Sequence, residues 1–144
     1  MLMPDVNVLI YAHRVDEAFH EPYREWLEAL VNGEQPFALS VLVAVGFVRI
    51  VTNPKIYEAP TTTDVALAAI DQLVGHPGCR VILPEIDHWD RVSRLCRAIG
   101  AKAKLVADAQ HAALAMAGGF TWVTRDADFA RFAPHGLRWE HLVL

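Results

Sequence analysis

Apolar positions along this chain fall into short blocks whose period switches between strand-like and helix-like. Met1–Met3 predicts a strand and Val6–His13 an apolar helix, with Asp5 at the seam. In His20–Asn32 the residues Tyr23, Trp26, Leu27 and Leu30 recur at helical spacing, and Asn32-Gly33 supplies a stop. Phe37–Leu39 predicts a second strand, and Ser40 caps a helix over Val41–Thr52 that Asn53-Pro54 ends. Thr61–Thr63 and Asp64 open a helix running to about Val74, Gly75–Gly78 turns, and Arg80–Leu83 predicts a third strand. A helix follows from Asp87 or His88 to Ile99-Gly100, then a connection at Lys102–Lys104. Val106–Ala117 reads as an Ala-rich helix stopped by Gly118-Gly119. Phe120–Thr124 predicts a strand, Ala127–Phe132 a short helix and Arg138–His141 a last strand. Strands alternating with helices predict an α/β fold with a mostly parallel sheet covered on both faces.

In such sheets ligands collect at the carboxyl ends of the strands. Asp5 and Asp126 directly follow predicted strands, and Asp108 lies near the start of its predicted helix, where the helix dipole favours an anion. Burying an unpaired carboxylate is costly, and three brought together repel unless a cation sits between them. The expectation is a hard divalent metal site at Asp5, Asp108 and Asp126.

Composition narrows the class. At 144 residues, 53% of them apolar, the chain suits a single domain with a real core. No apolar run reaches the ~18 residues that span a bilayer, and the N-terminus has neither a charged region nor a long apolar one. The expected location is the cytoplasm, with no membrane partner. Cys79 and Cys96 make neither a disulfide scaffold nor a zinc pattern and read as buried or partly buried thiols. The net charge of −4 argues against gripping nucleic acid by bulk electrostatics. Nucleic-acid chemistry stays open, because a metal supplies positive charge locally.

Four segments carry a resemblance. Asp5-Val6-Asn7-Val8-Leu9-Ile10-Tyr11-Ala12 resembles the opening of a PIN domain. Val106-Ala107-Asp108-Ala109-Gln110-His111-Ala112-Ala113-Leu114-Ala115 resembles its third acidic motif, and Thr124-Arg125-Asp126-Ala127-Asp128-Phe129 its fourth. Val45-Gly46-Phe47-Val48-Arg49-Ile50-Val51-Thr52-Asn53-Pro54 is similar to one branch of VapC-type toxins. The resemblance implies a three-layer α/β/α sandwich and a Mg²⁺-dependent endoribonuclease of a type II toxin–antitoxin system. It also implies a VapB-type antitoxin that blocks the site. Asp5, Asp108 and Asp126 would be the metal-site acids. Many relatives carry a Glu where this chain has Gly46. One metal ion can be held without it, whereas a two-metal clamp is harder to build.

The expected reaction is RNA phosphodiester hydrolysis, with the metal polarising a phosphate oxygen and acidifying the attacking water. Asn7 and Ser40 would support the acids by hydrogen bonding, and structural capping is the competing reading for both. Asp128 could share the role of Asp126, against a turn and helix cap for either. The acid-free stretch Arg91–Lys104 suggests a phosphate-guiding patch led by Arg91 and Arg94, against an ordinary solvated helix face. His111 reads as a packed histidine before a general base. Trp26, Trp89, Trp122 and Trp139 read as core or interface residues before base-stacking ones. The exposed-looking helix His20–Asn32 and the apolar content suggest a homodimer or antitoxin surface. Two rival functions stand beside the nuclease. One is a PIN-like module, catalytically weakened by loss of the second acid, that binds protein or RNA. The other is a phosphatase, which Asn7 disfavours because an aspartyl-nucleophile opening wants a second Asp there.

Overall fold

A computed structural model describes all 144 residues. Five strands, β1 (Leu2–Pro4), β2 (Phe37–Ser40), β3 (Cys79–Ile82), β4 (Thr121–Thr124) and β5 (Arg138–His141), alternate with helices. The helices are α1 (Val6–His13), α2 (His20–Asn32), α3 (Val41–Val51), α4 (Thr63–Val74), α5 (His88–Ile99) and α6 (Lys104–Gly118), followed by a 3₁₀ helix, Ala127–His135. Every strand pair is parallel. β1 pairs β4 and β4 pairs β5, while β2 pairs β3 in a separate ladder. β1 and β2 lie side by side, giving the spatial order β3-β2-β1-β4-β5. The expected sheet is therefore present as two ladders. β1 is three residues long and Pro4 has no N–H to donate, so β1 keeps its ladder on the β4 side.

The side chains of β4 show the layering. Trp122 is fully buried in the main core with Met3, Leu39, Phe47, Val92, Leu95 and Phe129. Its neighbour Val123 is buried in a second, smaller core with Val8, Ala12, Tyr23 and Leu142. Adjacent strand residues point to opposite faces, so apolar layers cover both sides, as a three-layer α/β/α sandwich requires.

Three expectations change. α6 begins at Lys104, two residues before the predicted start, so Asp108 lies one turn inside the helix. The short helix after β4 is a 3₁₀ helix that runs on to His135. The apolar stripe of α2 is used internally. Tyr23 is buried, Trp26 and Leu27 pack on the smaller core, and the Tyr23 hydroxyl donates to the Leu142 carbonyl at 2.5 Å. Exposed apolar side chains lie elsewhere, at Val45 on α3 and Leu67 on α4, and at Leu83, Ile86 and Trp89 around the start of α5. Trp122 is a core residue, whereas Trp89 is 77% exposed.

Candidate functional site

Asp5 follows β1, and its N–H continues the ladder by donating to the Val123 carbonyl at 2.8 Å. Its side chain also caps α1, with Oδ1 accepting from the Val6 N–H at 2.6 Å. The capping reading and the site reading are thus both met by one carboxylate, which has two oxygens. Oδ2 accepts from the Thr124 hydroxyl at 2.6 Å and from Asn7 Nδ2 at 3.2 Å. All these donors are neutral. Asp5 is 7% exposed and has no cation partner. Burial pushes its pKa up to about 6, against the Thr124 and Val6 hydrogen bonds, and the nearby charges of Asp108 and Asp126 push the same way.

Thr124 and Asn7 lock this corner. The Thr124 hydroxyl donates to Asp5 and accepts from Asn7 Nδ2 at 3.2 Å and from the Asp126 N–H at 3.0 Å. Asn7 Oδ1 accepts from the Arg125 N–H at 3.3 Å. Asn7 therefore reaches a carboxylate as expected. Thr124 was not foreseen, although a Thr at a strand's carboxyl end immediately before the acidic motif is a signal of the kind that could have marked it.

Asp108 is buried on α6, and Asp126 caps the 3₁₀ helix through Oδ1, which accepts from the Asp128 N–H at 2.9 Å. Between them sits the ammonium of Lys104. Its Nζ donates to Asp108 Oδ2 at 2.9 Å and to Asp126 Oδ2, and lies 3.9 Å from Asp128 Oδ2. Burial raises the Asp108 pKa despite this partner. At Asp126 burial also pushes upward, but the Lys104 ammonium and the Asp128 N–H outweigh it and the carboxyl titrates below its ordinary range. Lys104 itself stays protonated well beyond its ordinary range, since its two carboxylate bonds outweigh partial burial.

The other expected residues are placed as follows. Ser40 is fully buried at the end of β2 and accepts from the Leu42 N–H at 3.1 Å, as the cap of α3. Asp128 is exposed beside Lys104. Arg91 pairs with Asp87, which precedes α5, and Arg94 with Asp90 in its first turn. Both line a recess with Leu95, Ala98, Ala113, Met116 and His135. Ala113 and Met116 are roughly 7 and 12 Å along α6 from Asp108 at ~1.5 Å rise per residue. The short connection after Gly100 makes α5 and α6 antiparallel, which carries early α5 to late α6. The basic pair thus faces the later turns of α6 rather than the turn that carries Asp108. His111 stacks on Trp122 with centroids 5.3 Å apart, its Nδ1 is buried without a partner, and burial lowers its pKa to about 4. It is a packed histidine. Arg125, also unforeseen, turns away from the acids: its guanidinium lies 3.7 Å from the Phe19 ring centre and bonds the Tyr23 hydroxyl at 3.1 Å.

A family model for the PIN domain matches residues 2–134. The chain belongs to the PIN-domain family. Relatives named as VapC ribonucleases match nearly the whole chain. Ribonuclease VapC43 of Mycobacterium tuberculosis is 40% identical over 141 residues, covering 98% of this chain and 95% of that protein. Ribonuclease VapC37 of the same organism is 30% identical over 140 residues, covering 97% and 96%. Among solved structures, VapC20 of M. tuberculosis, described as a Sarcin-Ricin loop cleaving toxin, superposes with a TM-score of 0.69 at 15% identity, covering 100% of both chains. VapBC2 of Rickettsia felis, bound to a DNA fragment from its promoter, gives 0.68 at 19%, covering 96% of each. In this PIN domain Gly46 sits where α3 meets α1: a Cβ there would lie 3.1 Å from a Val6 methyl. Position 46 therefore borders the residue next to Asp5.

The side chains present fit a hard cation by chemistry. They are carboxylate oxygens, and the Asp108–Asp126 pair already holds one cationic group. No three His, Cys, Asp or Glu side chains are spaced to hold a metal ion together, so the expected three-acid cluster is met only by the Asp108–Asp126 pair, with Asp5 near enough for its charge to be felt.

Proposed function

We propose that this chain is a VapC-type endoribonuclease, the toxin of a type II toxin–antitoxin pair, which uses Mg²⁺ or Mn²⁺ to hydrolyse an RNA phosphodiester. The observation that carries the reading is Asp5: a buried carboxylate bonded only to neutral donors, beside two further carboxylates that already hold an ammonium. The ribonuclease names of relatives spanning nearly the whole chain support it. When bound, a divalent ion supplies charge neutralisation at the phosphate and acidifies a water. Asp5 and Asp108 would hold the ion, and Asp126 would hold it or orient a water. Thr124 and Asn7 hold the Asp5 carboxylate in one orientation, so that this one group need not reorient when the site fills. His111, neutral and packed on Trp122, takes no part in proton transfer.

A VapB-type antitoxin and a homodimer belong to this reading. Solved relatives include VapBC complexes, and exposed apolar surface remains on α3–α4 and around the start of α5. No helix is long and apolar enough to cross a membrane, and action in the cytoplasm belongs to the same reading.

The test is RNA cleavage by the purified chain. Cleavage is expected with Mg²⁺ or Mn²⁺, to vanish with EDTA, and to fall at least about a hundredfold in Asp5→Ala. Metal-independent cleavage, or full activity in Asp5→Ala, overturns the reading. Metal binding without cleavage, with activity gained in Gly46→Glu, would favour the weakened module.

A further inference from the structure

Lys104 does more than balance charge, and its position is not explained by its own helix. It stands in the first turn of α6, where the dipole disfavours a cation. Its i,i+4 partner Asp108 lies on the C-terminal side, the poorer orientation for a helical ion pair. The residue before it, Ala103, is held at φ 51° and ψ −121°, a conformation that costs an L-residue strain. What accounts for the placement is the second contact, to Asp126 on another element, with Asp128 close by. The ammonium thus occupies the point where a cation would bridge α6 to the end of β4. It reaches that point from solvent. The Lys104 side chain is 62% exposed, whereas that of Asp108 is 10% exposed, so rotating the four-carbon stem can withdraw the ammonium without disturbing the core.

We propose that Lys104 is a tethered competitor for the divalent cation: it closes the acidic site when metal is scarce, and metal enters by displacing it from Asp108 and Asp126. The proposal rests on the metal-site reading above. It accounts for why one ammonium, reached from solvent, is shared by carboxylates on two different elements.

The test compares Mn²⁺ affinity, by calorimetry and by the loss of free-ion electron paramagnetic resonance signal, at one ionic strength. The proteins are the natural chain, Lys104→Met, Lys102→Met and Asp5→Asn. Lys102 is an exposed neighbour with no ion pair to the acids, so its removal reports long-range charge alone. Lys104→Met is expected to bind Mn²⁺ about tenfold tighter than the natural chain, and Lys102→Met to stay within about twofold of it. A second measurement needs no variant. In ¹⁵N-lysine spectra of the natural chain, the hydrogen-bonded Lys104 ammonium signal is expected to move to the free-lysine position as Mg²⁺ is added. Equal or weaker binding in Lys104→Met, an equal gain in Lys102→Met, or a Lys104 signal unmoved by Mg²⁺ that shifts the Asp108 amide overturns the proposal alone. Failure of all four proteins to bind Mn²⁺, or undiminished binding in Asp5→Asn, brings down the metal-site reading and the proposal with it.

Discussion

Single residues carry the chemistry here through what they bond, and the bonds separate groups that the sequence lists together. The placement of Asp5 after a strand, of Asp108 in a helix and of Asp126 after a strand was legible because each lies in a recognisable motif. Thr124 and Lys104 were not, since their roles depend on partners 119 and 22 residues away in sequence. His111 is a contrasting case: the sequence read it as a packed histidine before a general base, and its ring lies in the core against Trp122. That placement fixes a pH dependence. The unfolded pKa is near 6.5 and the folded one near 4, so the imidazole is buried neutral. A depressed histidine contributes stability that is fully present above about pH 6.5 and is lost as pH falls towards 4. The difference in unfolding free energy between the natural chain and His111→Phe should therefore shrink by up to about 3 kcal/mol from pH 7.5 to pH 4. Urea unfolding of both proteins across that range measures it, and parallel pH profiles would refute the burial of a neutral ring. RNA cleavage should survive the same substitution.

At the level of elements, the pattern of apolar positions found all five strands and every helix, with differences at the ends and in the 3₁₀ character of the last helix. The error that mattered was the start of α6. Ala103 has no side-chain oxygen to cap a helix, so nothing in the sequence signalled a beginning there, and Lys104 read as part of a connection. Starting at Lys104 instead puts its side chain one turn from Asp108 and on the acidic edge. The backbone at Ala103 pays for that geometry with φ 51° and ψ −121°, which glycine adopts without penalty. Ala103→Gly should raise stability by about 1 kcal/mol, equivalent to roughly 2–4 °C in Tm for a chain of this size. Thermal unfolding decides it, and a lower Tm would mean that Ala103 is unstrained. The α5–α6 hairpin gives the matching lesson for Arg91 and Arg94. Their helical spacing was legible, but the antiparallel pairing that carries them to the far end of α6 was not.

For the whole molecule, strand order is the decisive fact that linear patterning does not contain. The chain lays down β1, β2 and β3 in one direction, then returns so that β4 pairs the other side of β1. The switch point between β1 and β4 is where a parallel sheet opens a crevice at its carboxyl end. Asp5 leaves β1 into that crevice, Thr124 ends β4 beside it, and Asp126 and Asp108 close on it from the next loop and from α6. A cation bound there ties the N-terminal strand to segments more than a hundred residues later, a linkage the unfolded chain cannot offer. Binding to the folded state alone stabilises by RT ln(1 + [L]/Kd), about 2.7 kcal/mol at a hundredfold excess over Kd. With roughly 2–4 °C per kcal/mol at this length, Mg²⁺ should raise Tm by about 5–10 °C. The rise should disappear in Asp108→Asn, which keeps the shape of the side chain but removes its charge. Differential scanning calorimetry with and without Mg²⁺ makes the comparison. An equal rise in both proteins would place the stabilising ion elsewhere on a surface whose net charge is −4, and would separate general charge screening from a metal seated at the switch point.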